Sequence, residues 1–261
     1  MAADLAVKAP PVAPPSAVAA IHNWSGFYLG VNAGGASAYS GDPTTSASCT
    51  GLPGTFGAYF ACGDIAAVNA LGTGSMSGVG FTGGTQAGYN AQFNSIVVGI
   101  EADFGAFNAK TSRVATGTLA VAGSQASITE SIDAHWLFTA RGRLGWVFND
   151  NLLTYVTGGL AVTRLNSSDS YVDNAGGFGP GIGSWSASAT KEGWTAGAGV
   201  EWAFTQHWSA RAEYLYVRFN TITASGVVAN TSLIPGGYAN AISTATDLSA
   251  HIARAGINYK F

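Results

Sequence analysis

The chain has 261 residues, of which 10% are charged and 11% are aromatic; 36 are glycine, and the formal net charge is −3. A typical soluble domain has about 25% charged residues, so this chain has too few charges to cover an ordinary soluble surface. The slightly acidic balance provides no basic stripe and argues against nucleic acid as a partner. No apolar run approaches the roughly 20 residues that a membrane-spanning helix needs, so strands would have to cross any bilayer.

Residues 1–22 form a segment rich in proline and alanine. The segment has no apolar core of the length that a signal peptide needs, and its start, Ala2-Ala3-Asp4, fits the residues left after signal-peptide cleavage. Its prolines favour an extended chain over a packed one. We therefore predict a periplasmic tether at residues 1–22, followed by a single β-barrel domain at residues 23–261.

From Trp24 onward, apolar residues alternate with small or polar ones in segments of about 10 to 15 residues, with the two-residue period of a β-strand. The pattern predicts about eight strands, near residues 24–35, 79–90, 95–107, 132–148, 152–164, 192–204, 208–219 and 249–261. Short connections join the second strand to the third, the fourth to the fifth and the sixth to the seventh, and the other connections are long and rich in Gly, Ser, Thr and Asn. This alternation predicts an all-β fold, an eight-stranded antiparallel up-and-down transmembrane barrel with short periplasmic turns and long extracellular loops.

Charged residues within the predicted strands are in phase with Gly and Thr and out of phase with the bulky apolar residues. A soluble, lipocalin-like barrel would also alternate, but it would cover its outer face with many more charges than this chain has. The pattern favours a lipid-facing apolar exterior and a polar interior in which opposite charges neutralise one another. The predicted interior network consists of Glu101, Asp103, Arg141, Arg143, Glu201, Arg211, Glu213 and Arg254.

Large aromatic residues lie near the ends of the predicted strands, in one band beside the short turns and another toward the long loops. Amphipathic rings settle at the two interfaces of a membrane, so these bands are predicted to mark its boundaries. The core of a soluble sandwich is the alternative explanation. The predicted interface tryptophans are Trp24, Trp136, Trp146, Trp194, Trp202 and Trp208.

Cys49 and Cys62 lie close together in a stretch rich in Gly, Thr, Ser and Pro. They suit a disulfide that closes a loop in an oxidising compartment, with two unpaired thiols as the alternative. A structural metal site is disfavoured because it needs about four ligands and no histidine lies nearby.

Several motifs carry a resemblance to one family: NWSGFYLGVNAG, GGTQAGYN, VVGIEADFG, RGRLGWVF and the final YKF. Together they resemble the RopB-type outer-membrane proteins of alpha-proteobacteria, within the OmpA-like small-barrel superfamily. The resemblance implies an eight-stranded barrel that resides in the outer membrane and acts as a surface antigen, and it does not imply an enzyme. The ending with Tyr259 and Phe261 resembles the terminal signal by which such barrels are recognised for assembly. The expected partners are therefore the barrel-assembly machinery, outer-membrane lipid and lipopolysaccharide.

An eight-stranded barrel is just wide enough for side chains to fill it. We therefore predict a structural, surface-exposed protein that contributes to envelope integrity and to contact with a host or the environment. Its lumen would be plugged by the charge network, and both of its termini would lie in the periplasm. A narrow pore, or a barrel that captures a surface ligand such as haem, is the alternative. We predict no resident cofactor and no metal site.

Asp247, Ser249 and His251 share one face of the last predicted strand and have the composition of a catalytic triad. Residues on the same face of a strand stand roughly 6.5 to 7 Å apart, which is too far for a hydrogen bond between nucleophile and base. The chain contains no G-x-S-x-G motif either. The sequence therefore predicts a protein without catalytic activity.

Overall fold

The computed structural model of the protein describes residues 22–41, 43–51, 64–119, 124–149, 151–174, 180–230 and 238–261. The predicted tether lies outside these residues except for its last member, His22. Cys62 lies outside them as well, so its disulfide with Cys49 stays a prediction.

The described residues form eleven strands and one short helix. The strands are β1 (Gly26–Ser40), β2 (Thr44–Gly51), β3 (Met76–Phe93), β4 (Ile96–Thr118), β5 (Gln125–Phe148), β6 (Leu152–Asp173), β7 (Ile182–Ala203), β8 (Trp208–Phe219), β9 (Ile222–Asn230), β10 (Tyr238–Thr246) and β11 (Ser249–Lys260). The helix, α1, spans Ile65–Leu71. Within the ranges given above, no helix is long and apolar enough to cross a membrane.

Eight strands pair antiparallel in a closed ring, in the order β1, β3, β4, β5, β6, β7, β8 and β11, with β11 returning to β1. Each ring strand covers one of the eight predicted segments to within two residues at its ends, so the predicted barrel is confirmed. The connections β3–β4, β5–β6 and β7–β8 are short and lie at one end, here called the short-turn end; the opposite end is the long-loop end. Asn94 and Asn149, in two of these turns, have φ of 54° and 47°, a left-handed conformation that asparagine tolerates better than most side chains.

Successive residues of each ring strand point alternately into and out of the barrel. On β5, Arg141 and Arg143 are buried inside, whereas Leu144 and Trp146 lie on the outer wall and are about half exposed. The outer wall is apolar, and its exposed large side chains include Phe27, Leu29, Ile100, Phe104, Leu160 and Val200. Such a wall is unfavourable against water and favourable against lipid.

At the long-loop end the structure continues beyond the predicted strands. Strands β4, β5, β6 and β7 have 23, 24, 22 and 22 residues, roughly twice the length that crosses a membrane. Their outer parts form a sheet with β9, β10 and β2, in the order β4, β5, β6, β7, β9, β10, β2. We call this sheet together with α1 the long-loop extension. The sequence predicts loops here because these segments are rich in Gly, Ser and Asn, but pairing with neighbouring strands overrides such local preferences.

A β-bulge in β5 separates the barrel wall from the long-loop extension. The register of β5 against β6 shifts between Ala134 and Phe138. One extra residue in a strand reverses which side chains face inward. Ile132 and Ala134 are accordingly buried on the extension side of the bulge, whereas Leu137 and Thr139 are buried on the barrel side.

Three buried apolar clusters fill the interior at different heights. The first, at the short-turn end, contains Trp24, Val97, Leu153, Tyr155 and Ala203. The second, toward the long-loop end, includes Phe107, Leu137, Leu165, Leu215 and Ile252. The third, inside the extension, includes Val68, Ile128, Trp185, Val228 and Ile242. The alternation predicts a polar interior, but the interior is only partly polar. Its charged side chains form one layer between the first two apolar clusters.

Candidate functional site

The eight charges predicted for the interior all lie in one layer of the barrel. They come from five ring strands, and each residue is at most 6% exposed. Four are arginines and four are carboxylates, so the layer has no net charge when all are ionised. Its members are Glu101 and Asp103 on β4, Arg141 and Arg143 on β5, Glu201 on β7, Arg211 and Glu213 on β8, and Arg254 on β11.

Arg141 lies at the centre of the layer, with its side chain 0% exposed. Its guanidinium forms ion pairs with Glu101, with Asp103 (Nη2 to Oδ2, 2.8 Å) and with Glu213 (Nη1 to Oε1, 3.0 Å). Its Nε donates to the Thr139 hydroxyl at 3.0 Å. A buried charge is tolerated only when it is paired and hydrogen-bonded, and Arg141 satisfies three carboxylates at once.

Two further arginines pair with the same carboxylates. Arg211 Nη1 lies 2.6 Å from Glu101 Oε2. Arg254 lies 3.1 Å from Asp103 through Nη1 and 2.6 Å from Glu213 through Nη2. Each of the three carboxylates therefore meets at least two arginines, and the ion pairs form a connected network across the lumen.

Arg143 and Glu201 form a second ion pair on the short-turn side of this network. The Arg143 guanidinium lies 3.7 Å from the centroid of the Tyr155 ring, a cation–π contact. The second ion pair is joined to the first network through Tyr155, whose hydroxyl donates to Glu213 Oε1 at 3.1 Å. Tyr28 donates to Glu101 Oε2 at 2.6 Å.

The two tyrosines are functional partners that the charge pattern did not single out. Tyr28 shares the inward face of β1 with Gly30 and Asn32, and Tyr155 shares that of β6 with Thr157. Both tyrosines lie on the same strand face as small and polar residues, and this position in the sequence pattern distinguishes them from the outward-facing aromatic residues. A tyrosine carries an apolar ring and a polar tip, so it bridges the charged layer and the apolar cluster at the short-turn end.

The charged layer leaves little free space. One interior cavity beside Asp103 and Arg254 has a volume of about 10 Å³, and a second beside Glu201 and Asn258 is of the same size. Each is about the size needed for a single water molecule. Larger grooves, such as one of about 630 Å³ beside Leu29 and Phe104, lie on the apolar outer wall.

The predicted interface tryptophans divide into two groups. Trp146, Trp194, Trp202 and Trp208 lie on the outer wall and are 44% to 52% exposed, and Trp136 is half-buried. The prediction for Trp24 is wrong, because its side chain is 3% exposed and packs inside the short-turn end. Trp24 is in phase with Tyr28 and Gly30 on the inward face of β1, so the same alternation that places the other rings outside places Trp24 inside.

The last residues of the chain belong to the barrel wall. Tyr259 pairs with Leu29 of β1 on one side and with Trp208 of β8 on the other. The Phe261 amide donates to the Phe27 carbonyl at 3.0 Å, while its side chain is exposed on the outside.

The residues with triad composition have separate partners. Asp247 forms an exposed ion pair with Arg218 at 3.0 Å. The Ser249 hydroxyl donates to the Tyr39 carbonyl at 3.3 Å, and His251 Nδ1 meets the Tyr214 hydroxyl. Since no hydrogen bond among the described residues joins Ser249 to His251, the arrangement does not resemble an activated nucleophile.

Comparisons with known proteins place this architecture in a family. A family model described as outer membrane protein beta-barrel domain matches residues 11–261. The 31 kDa outer-membrane immunogenic protein of Brucella melitensis biotype 1 is 33% identical, over 100% of this chain and 93% of its own length. The 22 kDa outer membrane protein of Rhizobium leguminosarum bv. viciae is 32% identical over 54% of each chain.

A solved structure, that of the outer membrane protein OprG from Pseudomonas aeruginosa, aligns with 92% of this chain and 98% of its own at 13% identity. Its TM-score of 0.41 is too low to support an inference about function. The family model and the Brucella relative each extend over nearly the whole chain. The chain therefore belongs to the outer membrane protein beta-barrel domain family, as a homologue of alpha-proteobacterial outer-membrane immunogenic proteins.

Proposed function

We propose that the protein is a structural, surface-exposed outer-membrane barrel that contributes to envelope integrity and to contact with a host or the environment. We propose further that its lumen is sealed. The observation that carries the sealed lumen is the neutral charged layer, in which Arg141 alone binds three carboxylates. Apolar clusters lie on both sides of the layer, and an ion that entered it would have to displace existing ion pairs.

The proposed orientation places the short-turn end in the periplasm. Both described ends of the chain meet there: the Lys260 ammonium binds the Asn23 carbonyl, and the Phe261 amide binds the Phe27 carbonyl. Outer-membrane barrels have short periplasmic turns and longer extracellular connections, which supports this assignment. Outer-membrane lipid and lipopolysaccharide would then surround the apolar wall.

The long-loop extension is the proposed surface for contact outside the cell. It presents exposed apolar side chains on its outer face, including Val114, Val172 and Ile182. Exposed apolar groups on an ordered surface favour contact with other molecules. The homologues from Brucella are named as immunogenic, which agrees with a surface location for a structure of this kind.

Conductance tests the sealed lumen directly. We expect the purified protein in planar lipid bilayers to give no stepwise current, because the charged layer and two apolar clusters block the lumen. A general porin inserted in the same bilayers serves as the positive control. Current steps from the wild-type protein whose size changes in Arg141→Ala would contradict a sealed lumen and favour a narrow pore.

The terminal aromatic residue supplies a second prediction, since Tyr259 and Phe261 are proposed to be read by the barrel-assembly machinery. We expect Phe261→Ala to lower the amount of barrel in the outer membrane of living cells, because the signal loses its ring while the amide that binds Phe27 remains. Unassisted refolding into micelles should change little. The matched control is Phe27→Ala, an exposed ring at the same end. Equal losses from both variants in cells would show that Phe261 is no specific signal.

A further inference from the structure

The sheet of the long-loop extension has two edges that do not pair with each other. Among the described residues, β2 pairs with β10 alone, and the outer part of β4 pairs with β5 alone. The short helix α1 lies between these two edges. Its Val68 side chain is fully buried, and Ile65, Ala67 and Leu71 pack partly against the apolar cluster inside the extension. The helix therefore completes the wall that the strands leave open.

Side-chain hydrogen bonds hold α1 to both edges. On the β2 side, the Ala47 amide donates to Asn69 Oδ1 at 2.9 Å, and the Thr45 hydroxyl donates to the Gly72 carbonyl at 3.1 Å. A helix of seven residues is not stable by itself in water, so its position depends on such contacts.

On the β4 side, Arg113 makes the side-chain hydrogen bonds to α1, and the Leu71 side chain of the helix lies against Gly117 of β4. Arg113 donates through Nη2 to the Leu71 carbonyl at 3.0 Å and through Nη1 to the Thr73 carbonyl at 3.1 Å. A cation at the C-terminal end of a helix also interacts favourably with the helix dipole. The Arg113 guanidinium therefore supplies the polar part of the contact between α1 and β4.

Arg113 is itself held by a carboxylate inside the extension. It forms an ion pair with Glu130 Oε2, and Glu130 is 1% exposed. The other oxygen, Oε1, has no hydrogen-bond partner among the described residues. Directly opposite Glu130 on the neighbouring strand is Asp169, another buried, inward-facing carboxylate. Like charges placed directly opposite each other destabilise a strand pair. Arg113 pairs with Glu130, whereas Asp169 accepts a hydrogen bond from the Ser167 hydroxyl at 3.2 Å.

Among the residues that the structure describes, the other groups packed around the pair supply no second cation at its level. On β6, Asp173 accepts hydrogen bonds from Tyr171 and from the Gly181 amide. On β7, the residue opposite Asp169 is the neutral Trp185, and the inward-facing Lys191 pairs with Thr163, roughly 20 Å further along the strand.

The remaining elements add little charge. Strands β9 and β10 contain no acidic or basic residue, and α1 has only Asp64 at its N-terminal cap. Both carboxylates lie on the loop side of Trp136, beyond the outer aromatic band. Burial first, and then the charge of Glu130, raise the pKa of Asp169 to about 7. Burial also raises the pKa of Glu130, against the opposing effect of Arg113.

We propose that α1 is a proton-controlled closing element of the long-loop extension. When Glu130 and Asp169 hold one proton between them, Glu130 orients Arg113 and the helix stays on β4. When both are ionised, the Asp169 carboxylate attracts water and pulls Arg113 away from the carbonyls at the end of the helix. α1 then detaches from β4. This inference does not depend on whether the lumen is sealed.

The sign of the pH dependence follows from the raised pKa of Asp169. The closed state holds a proton that the open state releases, so the stability of the closed state is fully present below about pH 4 and is lost as the pH rises through about 7. For one such group, the open fraction should increase roughly tenfold between pH 6 and pH 8.

Hydrogen–deuterium exchange of the full chain refolded in micelles tests this proposal. Labelling times are scaled to cancel the intrinsic pH dependence of exchange, and peptides covering residues 64–73 are compared with peptides of the barrel wall. We expect exchange in residues 64–73 to rise roughly tenfold between pH 6 and pH 8 while the barrel wall shows no rise. Asp169→Asn should remove this dependence and keep the helix protected at pH 8.

Two further variants complete the test. Glu130→Gln should expose residues 64–73 at both pH values, because Arg113 loses its anchor. The matched control is Asp133→Asn, which removes a carboxylate from the outer face of the same strand and should leave the wild-type profile unchanged. A flat profile in the wild type, or an unchanged profile in Asp169→Asn, would overturn the proposal. The shift in gel migration on boiling establishes that each variant has an intact barrel.

Discussion

Arg141→Met is expected to lower the free energy of unfolding by about 3 to 5 kcal/mol, the cost of removing one partner from a buried ionic network. The substitution keeps an unbranched, mostly apolar stem but removes the guanidinium that binds Glu101, Asp103 and Glu213. Arg211 and Arg254 still meet these carboxylates, yet the layer would carry one uncompensated negative charge. Urea unfolding of the refolded barrel in micelles, followed by tryptophan fluorescence, measures the effect.

The matched control is Arg218→Met, because Arg218 forms a single ion pair with Asp247 and more than half of its side chain is exposed. Exposed ion pairs contribute about 0 to 1 kcal/mol, so the control should remain close to the wild type. Equal effects of the two substitutions would show that the interior charges stabilise the barrel no more than surface charges do.

Phe107→Ala is expected to lower the free energy of unfolding by about 3 to 5 kcal/mol, as for other large-to-small substitutions in a packed core. Phe107 is fully buried in the apolar cluster on the long-loop side of the charged layer, 6.5 Å from the ring of Phe219. Removal of the ring would leave a cavity there, because the surrounding strands are held in register by backbone pairing and cannot collapse into the space. The same unfolding measurement applies.

The control for this prediction lies on the same strand. Phe104 faces outward and is 56% exposed, so Phe104→Ala replaces a contact with lipid or detergent and leaves the interior unchanged. Its effect should be well below that of Phe107→Ala. If the two variants were equally destabilised, the apolar cluster inside the barrel would not be the packed core described above.

Both predictions concern neighbouring layers of one interior. The charged layer is neutral and internally paired, and the apolar clusters on either side exclude water from it. Exclusion of water strengthens the ion pairs, but it also raises the cost of any carboxylate left without a partner. The outer membrane barrel thus depends on complete pairing within the layer, which explains why a single arginine carries so large an expected effect.

The eight ring strands and the inward-facing charges could be predicted from the sequence because both follow from the two-residue period of a strand. Charges such as Glu101 and Arg141 alternate with bulky residues such as Ile100 and Leu144, and one face must be inside. The partners of these charges could not be predicted, since Arg254 meets Asp103 across the lumen, through strands far apart in the chain. Tyr28 and Tyr155 share the inward phase, but an aromatic ring gives no sign in the sequence that its hydroxyl binds a buried carboxylate.

By itself the sequence determined the fold class, the order and phase of the ring strands, and which charges lie inside, because alternation is a local property. Only the tertiary structure decided which carboxylate each arginine binds and that segments rich in Gly, Ser and Asn form an ordered extension. The attachment of α1 through Arg113 and Glu130 belongs to this second class too. These features depend on contacts between distant strands, where burial and backbone pairing outweigh the local preferences of each residue.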